Sequence, residues 1–209
     1  MIKITCIYGS PRKDGNTDIL LNKFIEGLKI SLDFDSKKTN RVNSLNNSII
    51  SYRLEKIYVR ELNIYPCREC GKCEKTGICV IDDDMKKVYP LLETSNYLII
   101  SAPIFFCNVP SNLKILIDRT QCYWARKYIL KQKLQDIKPK LGIYLGVCGS
   151  RHIEFFNCCK LTVKYFFDVF NLEYYKDFFV SKIDGYQKIL QHEDILYNVY
   201  NLGKNLLKN

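Results

Sequence analysis

The stretch Lys3-Ile4-Thr5-Cys6-Ile7-Tyr8-Gly9-Ser10-Pro11-Arg12-Lys13-Asp14-Gly15-Asn16-Thr17 decides the fold. Residues 3–9 are apolar and β-branched and stop at Gly9, the pattern of a buried strand. Ser10 to Thr17 is built from turn formers. Behind it Ile19, Leu20, Phe24 and Leu28 recur at helical spacing, which predicts an amphipathic helix over 17–32. The strand–loop–helix pattern then repeats along the chain. Strands are expected at 56–62, 97–103, 140–148 and 174–181, and helices at 84–95, 110–131, 154–170 and 186–207. Pro90 predicts a kink or restart in the second helix, since proline inside a helix costs about 3 kcal/mol. Residues 35–51, rich in Asn, Ser and Lys, read as an exposed, mobile insertion. Five strands alternating with helices predict one parallel sheet covered on both faces, in a single domain over 1–209. In such sheets ligands sit at the carboxyl ends of the strands. The loops after Gly9, Pro103 and Cys148 are therefore the places to look for a site.

Composition narrows the class. The 209 residues are 47% hydrophobic and 26% charged, ordinary for a folded globular chain and unlike a disordered or fibrous one. The most apolar run, Tyr97 to Phe106, covers ten residues and holds Ser101 and Pro103. A membrane span needs about 20. The first residues are too briefly apolar for a signal peptide, so a cytoplasmic protein without membrane association is expected. Lys and Arg exceed Asp and Glu to give a net charge of +10, with the excess clearest over 37–60 and 126–140. Such a balance suits nucleic acid, an acidic protein partner or a phosphorylated substrate, or is simply a solvated lysine-rich surface. Ten cysteines in a cytosolic chain read as reduced thiols. Cys6 and Cys148 fall on buried strands and read as small hydrophobes. Cys122, Cys158 and Cys159 fall on helices without a role.

Gly9 to Thr17 lies between a strand and a helix start, where free backbone amides favour an anion. Ser10, Asn16 and Thr17 add short donors and Arg12 adds charge. The segment lacks the endings of a Walker loop or a dinucleotide fingerprint. It reads as a phosphate site or as an ordinary turn capped by Asn16 or Thr17. Four cysteines, Cys67, Cys70, Cys73 and Cys79, form C-x2-C-x2-C-x5-C. Three thiolates at this spacing converge from one tight loop, as in bacterial ferredoxins, and Cys79 is near enough to be a fourth ligand. A [4Fe–4S] cluster, structural zinc and an unmetallated loop all remain open, although zinc more often uses two separated C-x2-C pairs.

Three motifs in order carry a resemblance: GSPRKDGNT before a helix, Ser101-Ala102-Pro103-Ile104-Phe105-Phe106-Cys107-Asn108-Val109-Pro110-Ser111 followed by Asp118-Arg119, and the cysteine segment ending in Asp83-Asp84-Met85. Together, over roughly residues 1–150, they resemble the NADPH-dependent FMN reductase family, in its iron–sulfur flavoprotein branch. The resemblance implies a flavodoxin-like three-layer α/β sandwich with a five-stranded parallel sheet. It implies that Ser10, Arg12, Asn16 and Thr17 hold the FMN phosphate. It further implies that Pro103, Ile104, Phe105, Phe106, Cys107 and Asn108 border the isoalloxazine ring, with Gly149 near its pyrimidine end. Phe105 stands where tyrosine is usual, and Cys107 where glycine is common. The implied activity is FMN-dependent electron transfer between NAD(P)H or a ferredoxin, FMN and a [4Fe–4S] cluster. A homodimer or homotetramer is implied too, with a ferredoxin or a small-molecule acceptor as redox partner and no nucleic acid. The alternatives are an NAD(P)H-dependent quinone or nitro/azo reductase without a cluster, and a basic zinc-binding nucleic-acid module. The last leaves both flavin-type loops unexplained.

Overall fold

The computed structural model describes residues 1–38, 51–134, 138, 140–152 and 154–207. In chain order the elements are β1 (Ile2–Tyr8), α1 (Asn16–Lys38), β2 (Tyr52–Tyr58), α2 (Lys72–Thr76), α3 (Met85–Glu93), β3 (Tyr97–Pro103), α4 (Ser111–Asp118), α5 (Gln121–Trp124), β4 (Leu141–Val147), α6 (Glu154–Asp168), β5 (Glu173–Val180) and α7 (Glu193–Asn205). The strands form one sheet in the order β2-β1-β3-β4-β5, and every pairing is parallel. This is the doubly wound order of flavodoxin-like folds, whose strand order reverses between β1 and β3.

Successive strand side chains point to opposite faces, and each face finds its own helices. Ile4, Cys6, Tyr8, Tyr97, Ile99, Ile143 and Leu145 pack with Leu20, Leu21, Phe24 and Leu28 of α1 and Val199 of α7. Ile7, Leu98, Ile100 and Tyr144 pack on the other face with Met85, Val88 and Leu92 of α3, Leu113 and Leu116 of α4, and Val163, Phe166 and Phe167 of α6. Burial on both faces explains why β1, β3 and β4 read as continuous apolar runs rather than alternating ones.

Several boundaries differ from the sequence expectation. Strand two is Tyr52–Tyr58, not 56–62. Its register follows β1, from Ile2 opposite Tyr52 to Tyr8 opposite Tyr58, so it ends where β1 ends. The alternation read in 59–62 is instead a 3-10 turn at Val59–Glu61. The first helix runs to Lys38, so the start of the expected insertion is helical. Residues 39–50 of that insertion lie outside the described residues, and its last residue, Ser51, directly precedes β2. The second helix is continuous through Pro90 with no restart. The expected helix over 110–131 is broken into α4, α5 and a π turn at Ala125–Ile129. The break falls at Arg119-Thr120, where Arg119 turns inward to a buried partner.

Candidate functional site

A cleft of about 340 Å³ opens at the carboxyl edge of the sheet, at the reversal between β1 and β3. Its walls are Ser10, Pro11, Arg12, Gly15, Asn16 and Thr17 after β1, and Pro103, Ile104 and Phe105 after β3. Val147 and Gly149 come from the end of β4, and Ile183, Asp184 and Gly185 from the loop after β5. The first turn of α1 brings Asn16 and Thr17 to this space, and amides at a helix start favour an anion. Gly9 brings the loop close to α4: a Cβ there would lie 2.6 Å from the Leu113 side chain.

The loop is held from behind. Ser10 Oγ accepts the Arg12 amide at 3.0 Å, and Ser101 Oγ donates to the Thr17 carbonyl at 2.9 Å. The Asn16 side chain is committed to the β5–α7 loop: Nδ2 donates to the Gly185 carbonyl at 2.8 Å and Oδ1 accepts the Ile189 amide at 3.1 Å. Asn16 therefore offers the cleft its backbone, not its carboxamide. Arg12 is exposed, its guanidinium 5.9 Å over the Tyr186 ring, and free to reach an anion. Asp18, buried on α1, pairs with Arg60 at 3.0 Å. Burial pushes its carboxyl up, and Arg60 with the Asp14 amide opposes that.

Eight of the expected cofactor residues thus share one cleft: Ser10, Arg12, Asn16, Thr17, Pro103, Ile104, Phe105 and Gly149. Phe106, Cys107 and Asn108 do not line it. They form a projecting turn in which Phe105 and Asn108 exchange backbone hydrogen bonds and the Phe106 ring is fully exposed. The wall that sequence reading missed is Ile183-Asp184-Gly185. The one signal for it was an Asp-Gly turn a few residues past the expected strand 174–181.

The cysteine segment forms a second cleft of about 430 Å³, lined by Cys67, Cys70, Cys73 and Cys79 together with Asp118, Gln121 and Cys122. The two clefts share no lining residue. Glu69, Gly71 and Gly77 all have positive φ, which folds the chain back on itself between the cysteines. Burial pushes the Cys73 thiol up, and Cys79, Cys67 and Cys70 are near enough to add to that. Among the described residues, no three His, Cys, Asp or Glu side chains gather around a single point as ligands of one ion.

Both ends of this segment are tied to Arg119, 1% exposed. Its guanidinium donates to the Tyr65 carbonyl at 2.7 Å and the Ile81 carbonyl at 3.5 Å, and forms a two-pronged ion pair with Asp83. Asp83 also accepts the Tyr65 amide at 2.9 Å and the Met85 amide at 3.0 Å. Arg126 Nε holds the Gly77 carbonyl at 2.7 Å. The Asp83 and Arg119 motifs, noticed in sequence without a role, are the clamp at the base of the cysteine loop.

Residues 2–153 match the sequence model of the family described as NADPH-dependent FMN reductase. The chain belongs to this family. Within it, the chain is 30% identical over 151 residues to the iron-sulfur flavoprotein of Methanosarcina thermophila, covering 72% of this chain and 65% of that one. An iron-sulfur flavoprotein of Archaeoglobus fulgidus is 30% identical over 150 residues, covering 70% and 56%. The chain thus spans less than two thirds of these relatives' lengths. Among solved structures, the NAD(P)H:quinone oxidoreductase of Methanothermobacter marburgensis superposes with a TM-score of 0.65 at 13% identity, covering 98% and 96% of the two chains. An FMN-dependent NADH-azoreductase of Bacillus anthracis, solved with FMN, gives 0.61 at 16%, covering 99% and 97%. At such identities the likeness is one of fold.

Proposed function

We propose that the chain is an FMN-dependent electron-transfer oxidoreductase working between NAD(P)H or a ferredoxin, FMN and a [4Fe–4S] cluster. The observation that carries the flavin is the cleft at the strand-order reversal, walled by the first turn of α1 and by Pro103–Phe105. The residues fit the group. Ser10, Arg12 and the backbone of Asn16 and Thr17 would hold the phosphate, since amides at a helix start and a guanidinium together suit a doubly charged anion. Pro103, Ile104 and Phe105 would border the ring, with Gly149 at its far end. Asp184 would close the side that the Gly149 backbone leaves open, 3.2 Å from where a Cβ would stand. When bound, FMN supplies both hydride and single-electron chemistry. The protein's own part is position and electrostatics, and no side-chain acid or base is assigned.

All four thiols line one cleft, and they carry the C-x2-C-x2-C spacing that ferredoxins use for a [4Fe–4S] cluster. Cys67, Cys70, Cys73 and Cys79 would hold it. The names of the two relatives support the same reading. We take 1–209 as a single domain acting in the cytoplasm. Among the described residues no helix is long and apolar enough to cross a membrane. As the family resemblance implies, we propose a homodimer or homotetramer.

The visible spectrum of protein purified without oxygen tests this reading. Flavin bands on a broad brown absorption are expected. A yellow flavin spectrum alone would favour a quinone or nitro/azo reductase. A colourless protein containing zinc would contradict both.

A further inference from the structure

Cys107 and the pair Cys158-Cys159 belong to neither cleft. Cys107 and Cys158 nevertheless both lie near Cys159. Phe106 and Cys107 form the two central residues of the turn closed by Phe105 and Asn108, with φ of 48° and 60°. Glycine or asparagine takes these positions cheaply, while a larger side chain is strained there. The turn rests on α6. The Thr162 hydroxyl donates to Asn108 Oδ1 at 3.3 Å, and also reaches the Cys158 carbonyl at 3.4 Å. Residues four apart share a helix face, and side chains lean toward the helix start. Cys158 therefore stands on the face that the Cys107 turn touches.

The three thiols differ in reach. Cys158 is exposed and Cys107 half-exposed. Cys159 is buried against Tyr144, and burial pushes its thiol up to about 12, with Cys158, Cys107 and Cys148 all close enough to bear on it. A thiol held protonated is a poor nucleophile, which leaves Cys107 and Cys158 as the reactive pair.

We infer that Cys107 and Cys158 form a thiol–disulfide exchange site for low-molecular-weight disulfides, closing to a reversible bond that fixes the β3–α4 turn to α6. One thiolate attacks a small disulfide, forms a mixed disulfide and releases one small thiolate. The second thiolate attacks the protein sulfur of that mixed disulfide and releases the other. The two protein protons go to the two released thiolates, and two electrons pass from the chain to the small disulfide. Because Phe105 lines the first cleft, the closed bond fixes one of that cleft's walls.

The test exposes the reduced chain, purified without oxygen, to oxidised glutathione. Remaining thiols are then alkylated, and the protein is digested without reductant and mapped by mass spectrometry. A peptide linking Cys107 to Cys158 is expected, with alkylation at both lost in step. Cys107→Ser should then hold a glutathione at Cys158, and Cys158→Ser one at Cys107, because the resolving thiol is gone. Separate glutathione adducts at both cysteines of the native chain overturn the inference. So does the absence of reaction at either, a link from either to Cys148, Cys159 or Cys67–Cys79, or single variants without adducts. The outcome needs neither FMN nor iron, so it is separable from the proposed function.

Discussion

Arg119 and Asp83 carry the largest single-residue stake outside the core. A buried pair broken on one side leaves an uncompensated charge, costing about 3–5 kcal/mol. Arg119→Met should lower stability by that order, read as a drop in the urea midpoint, and Asp83→Asn in the same background should restore part of it. The pH dependence follows. Burial pushes the Asp83 carboxyl up, but the Arg119 guanidinium and the Tyr65 and Met85 amides outweigh it, and the carboxyl ends below its ordinary value. Its stabilising share is therefore complete above the unfolded value of about 3.9 and is lost as pH falls through the lower folded one. Below about pH 4 the native chain should lose stability more steeply than Asp83→Asn does. Parallel denaturation midpoints across that range would refute this. For Arg12, loss of a charge-assisted contact worth about 1.5–3 kcal/mol should weaken FMN roughly 10- to 100-fold in a fluorescence titration. Riboflavin, lacking the phosphate, should bind the variant as it binds the native chain. Equal losses would remove Arg12 from the phosphate site.

At the scale of elements, the chain announced what periodicity can carry. Runs such as Tyr97–Pro103 and the Ile19–Leu28 face of α1 had to be a buried strand and a packed helix. Register was not legible: Tyr52 to Tyr58 is fixed by pairing with β1, which no local pattern in 52–62 reveals. The break after α4 was hidden for the same reason, since Arg119 leaves the helix for partners 36 and 54 residues away. The site was legible where one loop carries it, at Ser10–Thr17, and illegible where a distant loop completes it, at Asp184-Gly185. The α1–α7 crossing was invisible too. There a Cβ on Gly27 would stand 2.0 Å from the Tyr200 carbonyl oxygen, and one on Gly203 would stand 2.0 Å from that of Phe24. Backbone meets backbone, so neither helix can yield by moving a side chain. Gly27→Ala should cost about 1–3 kcal/mol in urea unfolding, as overpacked sites do. A neutral result would mean that the helices separate freely.

Across the whole molecule, the net charge of +10 bears on the choice of partner. Positive surface attracts an acidic donor and speeds its encounter, an effect that salt screens. If a ferredoxin reduces this protein, the second-order rate should fall steeply between low and physiological ionic strength, while reduction by a small neutral donor should not. The larger question is whether two redox groups occupy the two clefts. Counting iron and FMN per chain, in native protein and Cys73→Ser purified without oxygen, answers it most directly. About one FMN and about four irons are expected in the native chain, with the variant keeping its FMN and losing its iron. Native protein holding FMN but less than about one iron per chain, even after reconstitution with iron and sulfide, would contradict the cluster.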